Sequence, residues 1–138
     1  MEIINTAEKL INHLESFDIS FDINQEQAQM LLDYMDGSGY MLSTDSNGQL
    51  FKVDLEEEGR EETDMDQITV LVCDWNSDFI RDARSRLKEL KGSSAAQEIL
   101  DQLKNLKKDE ELLDIIFEQT SFCKQLKQNE TLAKKMSR

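Results

Sequence analysis

Apolar residues recur at helical intervals along most of this chain. Ile3, Ile4, Ala7, Leu10, Ile11, Leu14 and Phe17 share one face, which predicts an amphipathic helix over residues 2–17. Asp18-Ile19-Ser20-Phe21-Asp22-Ile23 alternates polar and apolar and reads as a short extended connection. Asn24 with Gln27 forms a capping box, because each side chain can satisfy a backbone N–H of the other at a helix start. The helix it opens carries Ala28, Met30, Leu31, Tyr34 and Met35 and should stop at Gly37.

The period then shortens. Tyr40-Met41-Leu42-Ser43 and Leu50-Phe51-Lys52-Val53 flank Asp45-Ser46-Asn47-Gly48, and Asn-Gly suits the positive φ angles of a tight hairpin. A lone hairpin is marginal in water, so Leu42, Leu50 or Phe51 must pack on a helix or a third strand. Residues 54–66 are mostly acidic and read as a solvated loop ending at a helix N-terminus, where carboxylates complement the dipole.

Residues 67–73 have strand composition, yet Met65, Ile68, Val72, Trp75, Phe79, Ala83, Leu87 and Leu90 form one unbroken helical stripe. Period over so long a window outranks local composition and predicts helix, with a break expected near Asn76-Ser77 and an end at Gly92. Ser94 with Gln97 predicts the next start, for a helix carrying Ile99, Leu100, Leu103 and Leu106. Asp109 is the expected cap of the last long helix, whose apolar set runs from Leu112 to Leu126. Residues 124–138 read as a fraying, basic helical tail. The fold class is therefore mostly α with one β-hairpin (α+β), about five helices, arranged as an acidic half (1–66) and a helical half (67–138).

Charge changes this picture from a generic helical domain to an interaction protein. Residues 1–66 carry 17 Asp/Glu against three basic residues, a net of −14. Residues 67–138 carry 12 Asp/Glu against 13 Lys/Arg, a net of +1. Folding does not require such a split, and self-repulsion opposes it. A one-sided acidic field suits a basic partner. Carboxylates on helix faces and a loop can approximate the charge density of duplex DNA, about one charge per ~1.7 Å of axis. The residues expected to mimic phosphates are Glu56, Glu57, Glu58, Glu61, Glu62, Asp64 and Asp66, helped by Asp33, Asp36 and Asp45. Phe17, Phe21, Tyr34, Tyr40 and Phe51 cluster with them as candidate anchors, whereas Trp75, Phe79, Phe117 and Phe122 read as core. The alternative is an adaptor that binds through a hydrophobic helix groove, its acidity serving solubility alone.

Catalytic chemistry finds little support. His13 is the only histidine, expected half-buried at the edge of the first helix, and no triad assembles around it. The five glycines are scattered, so there is no phosphate loop. One His and two Cys fall short of a structural zinc site, and no cofactor is expected. Residues 43–54 overlay a calcium-loop pattern at Asp45, Asn47 and Gly48, but Ser43 stands at the first ligand position and Asp54 at the last, so the hairpin is preferred. Cys73 and Cys123 read as buried free thiols. No signal-type or membrane-spanning run occurs, and the expected setting is cytoplasmic, with no membrane and no direct nucleic-acid binding. Arg81, Arg84, Arg86, Lys88 and Lys91 interleave with Asp74, Asp78, Asp82 and Glu89 and read as intrahelical pairing. Self-association through the Leu112–Leu126 stripe is open.

Two stretches carry a resemblance. Asp33-Tyr34-Met35-Asp36-Gly37-Ser38-Gly39-Tyr40-Met41-Leu42 leading to Asp45-Ser46-Asn47-Gly48, together with Val72-Cys73-Asp74-Trp75-Asn76, is similar to small acidic proteins of bacterial mobile elements, some of which are anti-CRISPR inhibitors of Cas9-type nucleases. The resemblance spans under a third of the chain. It implies an inhibitor of a nucleic-acid enzyme, with a Cas9-type nuclease or its guide complex as partner, and it transfers no site residue.

Overall fold

The computed structural model describes residues 2–57 and 59–136, with side chains to residue 130. In chain order the elements are β1 (Glu2–Ile4), α1 (Ala7–Ser16), α2 (Gln25–Gly37), β2 (Tyr40–Thr44), β3 (Leu50–Asp54), β4 (Arg60–Thr63), α3 (Met65–Glu89), α4 (Ala96–Phe117) and α5 (Ser121–Met136). The strands form one antiparallel sheet in the order β1-β2-β3-β4. The α+β class with five helices is as the sequence predicts, but the hairpin is the centre of a larger sheet.

Both extra strands come from tertiary pairing rather than local preference. Glu2-Ile3-Ile4 is not the first turn of a helix; it pairs with Leu42–Thr44. The helix starts only after Thr6, whose Oγ1 accepts from the Lys9 N–H at 3.2 Å. Arg60–Thr63 lies in the expected acidic loop, yet it pairs with Leu50–Val53. Glutamate is a poor strand former, but cross-strand partners outweigh that preference. The Lys52 ammonium reaches Glu61 Oε2 at 3.6 Å, and the Arg60 guanidinium lies 4.6 Å from the centre of the Phe51 ring.

Alternation along the strands sorts the sheet into two faces. Ile4, Leu42, Lys52 and Glu61 form a row across the helix-covered face. Ile4 and Leu42 are buried there with Leu10, Leu14, Leu31, Met35, Ile68 and Val72, so this face is apolar at β1–β2 and turns charged towards β4. Ile3, Ser43, Phe51 and Glu62 form the matching row on the opposite face. The β2–β3 turn needs glycine at 48: φ is +86°, and a Cβ there would collide with the Phe17 ring.

The α3 helix runs unbroken through Asn76-Ser77. The cap-forming Asn76 is only 1% exposed, and its Nδ2 donates to the Tyr34 hydroxyl at 2.7 Å and the Leu106 carbonyl at 3.0 Å. A buried amide with both protons bonded joins α2, α3 and α4 instead of ending a helix. Nor does Ser94 cap α4: the cap position is Ala95, without a side-chain bond. Asp109 lies inside α4 and accepts from the Tyr34 hydroxyl at 3.1 Å. The break falls at Glu118–Thr120 instead. There the Thr120 Oγ1 donates to the Phe117 carbonyl at 2.7 Å and accepts from the Cys123 N–H at 3.1 Å. The Gln119 amide exchanges two 2.7 Å bonds with the Asp22 backbone, tying this corner to the connection after α1.

Candidate functional site

The element that gathers acidic side chains is the junction of β4 and α3. Glu61 and Glu62 project to opposite faces of β4. Asp64 caps α3, its Oδ1 accepting from the Gln67 N–H at 2.8 Å. One turn into the helix, Asp66 Oδ2 accepts from the Ser121 N–H at 3.0 Å and the Ser121 hydroxyl at 2.7 Å. That carboxylate pins the first residue of α5 beside the start of α3. Between β4, α3 and α5 lies a groove of about 470 Å³. Its rim holds Glu61, Glu62, Asp64, Asp66 and Asp74, its apolar floor is Val70, Leu71 and Phe122, and Lys52 is its one basic lining residue. Phe122, read from sequence as core, is 50% exposed here, and Phe79 is likewise exposed.

Carboxylates converging on a cleft with low-dielectric walls focus a negative potential and attract cations. Lys52 cannot cancel it. Its ammonium also sits 4.8 Å from the centre of the Tyr40 ring, so it is held against the sheet, while Glu61 remains mostly in solvent.

Four of the ten carboxylates picked from sequence therefore meet in one groove: Glu61, Glu62, Asp64 and Asp66. Glu56 and Glu57 are exposed on the β3–β4 turn, where their N–H groups donate to Asp54 Oδ1 at 2.9 and 3.1 Å. Glu58 lies outside the described residues. Asp45 is spent on its own turn, its Oδ1 accepting from the N–H groups of Asn47 at 2.9 Å and Gln49 at 3.0 Å. Asp33 accepts from the Gln29 amide at 2.9 Å and borders a separate hollow with Glu26, Tyr34 and Asp109. Asp36 is exposed near the end of α2. Asp64 and Asp66 carry structural hydrogen bonds as well as charge.

Asp74 and the floor escaped the sequence reading. Their signal was present, since Asp66, Val70 and Asp74 recur every four residues and share one side of α3. Of the candidate anchors, Phe21 and Phe51 are buried, Tyr34 and Tyr40 are half-buried, and Phe17 is exposed.

Burial shifts three other titratable groups. Burial pushes the Cys73 thiol up to about 12, helped by Asp114 and Asp74, so it stays protonated and a poor nucleophile. Burial likewise lifts the Tyr34 hydroxyl to about 12, against the opposing hydrogen bond from Asn76. His13 is buried rather than half-buried, with Nε2 lacking a partner among the described residues. Burial lowers its pKa, while the Gly48 backbone and Glu2 pull the other way. No group of three or more His, Cys, Asp or Glu among the described residues could hold a metal ion. No described helix is long and apolar enough to cross a membrane. The chain matches no protein-family profile, no curated protein and no solved structure.

Proposed function

We propose that this protein is a non-enzymatic inhibitor that binds a basic nucleic-acid-handling protein by presenting carboxylates in place of phosphates. The convergence of Glu61, Glu62, Asp64, Asp66 and Asp74 on one groove carries the reading. A partner whose groove is lined with Lys and Arg would be steered in by the field of the acidic half and held where its nucleic acid should lie. Glu56 and Glu57, exposed on the β3–β4 turn, extend the acidic track beyond the groove. The resemblance to small acidic proteins of mobile elements makes a Cas9-type nuclease, alone or with its guide, the leading partner.

The Val70–Leu71–Phe122 floor supports a second reading, an adaptor that binds through apolar contact with the acids serving solubility. Salt separates the two. Mimicry predicts affinity that falls steeply between about 50 and 200 mM salt, as phosphate binding does. It also predicts displacement by duplex DNA or guide RNA, and loss of binding when Glu56, Glu57, Glu61 and Glu62 become Gln. Capture of the same partner at any salt, unmoved by those substitutions or by nucleic acid, would establish the adaptor.

A further inference from the structure

The groove has a third wall property that neither charge nor apolar area expresses: it follows the last strand of the sheet. Among the described strands β4 pairs only with β3, so its outer edge has no strand beside it. The pairing phase can be read. Asp54 N–H donates to the Gly59 carbonyl directly opposite it at 2.8 Å, which sets the phase, and alternation then gives 52/61 and 50/63 as the bonded pairs. Glu61 and Thr63 thus turn their backbone groups towards β3, and Glu62 turns its N–H and C=O outward. The groove lies where the next strand would place its inward side chains, over Leu71 and Phe122.

We infer that the outer edge of β4 is the docking site for an extended basic segment of the partner, which adds to the sheet as a fifth strand. Main-chain bonds to β4 supply the attachment, and alternate side chains supply the choice. Residues of the added strand facing the helices meet Val70, Leu71 and Phe122 and must be apolar. Their neighbours, on the opposite face beside Glu62, must be Lys or Arg. The charges that keep a bare acidic edge from pairing with copies of itself are complementary to such a segment. This occupant rests on the basic-partner reading above and specifies the shape of what is bound.

The test uses the full chain and three synthetic peptides of equal Lys and Val content: alternating Lys-Val, a block peptide with all Lys before all Val, and one with Val at helical spacing. Three variants accompany them. Glu62→Gln removes the charge alone; Glu62→Pro removes the charge and the outward N–H, a change tolerated on a strand edge facing solvent; Phe122→Ser removes the aromatic part of the floor. Ile115→Ser, exposed on α4 away from the groove, is the control. The alternating peptide should bind wild type at least tenfold more tightly than the other two. Glu62→Pro should weaken it a further tenfold beyond Glu62→Gln, Phe122→Ser should abolish its advantage over the block peptide, and Ile115→Ser should leave binding unchanged. In wild type, where no variant can misfold, the Glu62 amide should gain hydrogen-exchange protection on peptide addition. Equal loss in Glu62→Pro and Glu62→Gln with no gain in protection, or preference for the helical-period peptide, overturns strand addition while leaving the acidic reading intact. Alternating-peptide binding that ignores salt retains the strand and removes mimicry.

Discussion

The sheet-bearing half and the helical hairpin beyond it solve the folding problem differently. The main buried cluster runs from Ile4 to Val72 and draws only Leu113 and Ile116 from later in the chain. The far halves of α3 and α4 rest on Ile80, Ala83 and Ile99, while Leu100, Ile115, Phe122 and Leu126 remain exposed. The half with a net of −14 thus owns the deeper core, and the nearly neutral half owns the shallower one. Self-repulsion among surface carboxylates is tolerated where apolar burial is densest, because burial is worth about 25 cal/mol per Å² and exposed charges interact weakly through water. The acidic groove therefore borders the deeper core, through Leu71 in its floor.

The sharpest way to break this comparison is to truncate a leucine in each region. Leu31→Ala, at a fully buried position, should cost about 2–5 kcal/mol in urea unfolding. Leu100→Ala, on the exposed side of α4, should stay within about 0.5 kcal/mol of wild type. Similar losses at both would erase the distinction.

The polar bridge between the two regions ranks next. Asn76→Ala removes the bonds to the Tyr34 hydroxyl, which keeps Asp109, and to the Leu106 carbonyl, and should cost about 1–3 kcal/mol by the same assay. A neutral outcome would mean that apolar packing and the remaining bonds, Tyr34 to Asp109 among them, couple the two regions without Asn76.

At the groove, Asp66→Ala removes the acceptor that holds Ser121. A loss of about 1 kcal/mol is expected, with faster proteolysis around residues 117–121, while Asp66→Asn keeps an acceptor and much of the stability. Unchanged proteolysis in Asp66→Ala would show that Thr120 and Gln119 suffice to set α5.

Smaller still, changing Glu56, Glu57, Glu61 and Glu62 to Gln should raise Tm at low ionic strength, and the gain should shrink as salt screens wild-type repulsion. A lower Tm would assign these acids a stabilising role.

Acid titration separates the two regions by sign. His13 has its pKa lowered from 6.5 by burial, so as the pH falls below 6.5 the unfolded chain takes the proton first. Its contribution is present above that pH and is lost in the acid window beneath it. Asp109 behaves oppositely. Burial raises its pKa from 3.8, with the Tyr34 hydrogen bond and Lys108 opposing and Asp33 and Glu26 assisting. The folded state keeps that proton longer, so stability falls as the pH rises from 3.8 through the raised value. Urea midpoints across pH should lose the first slope in His13→Phe and the second in Asp109→Asn. Persistence of both slopes in both variants would trace them to other groups.

Sequence determined what periodicity and composition can determine. The long stripe from Met65 fixed α3 against its strand-like start, Asn24 and Gln27 fixed the start of α2, and the hairpin at Asn47-Gly48 followed from its flanks. The charge split was legible in full; that Glu61, Glu62, Asp64 and Asp66, four of the ten carboxylates it singled out, line one groove was not. Tertiary structure decided the rest, because the deciding partners are distant in the chain. Glu2–Ile4 and Arg60–Thr63 became strands only by pairing with β2 and β3. Asn76 and Asp109, both good caps, were drawn into helix interiors by a tyrosine on α2. The groove's α5 wall is brought to α3 by contacts such as that of Asp66 with a serine 55 residues away, which no local pattern encodes. Local preference is worth tenths of a kcal/mol per residue, and a buried long-range bond or strand pairing exceeds it.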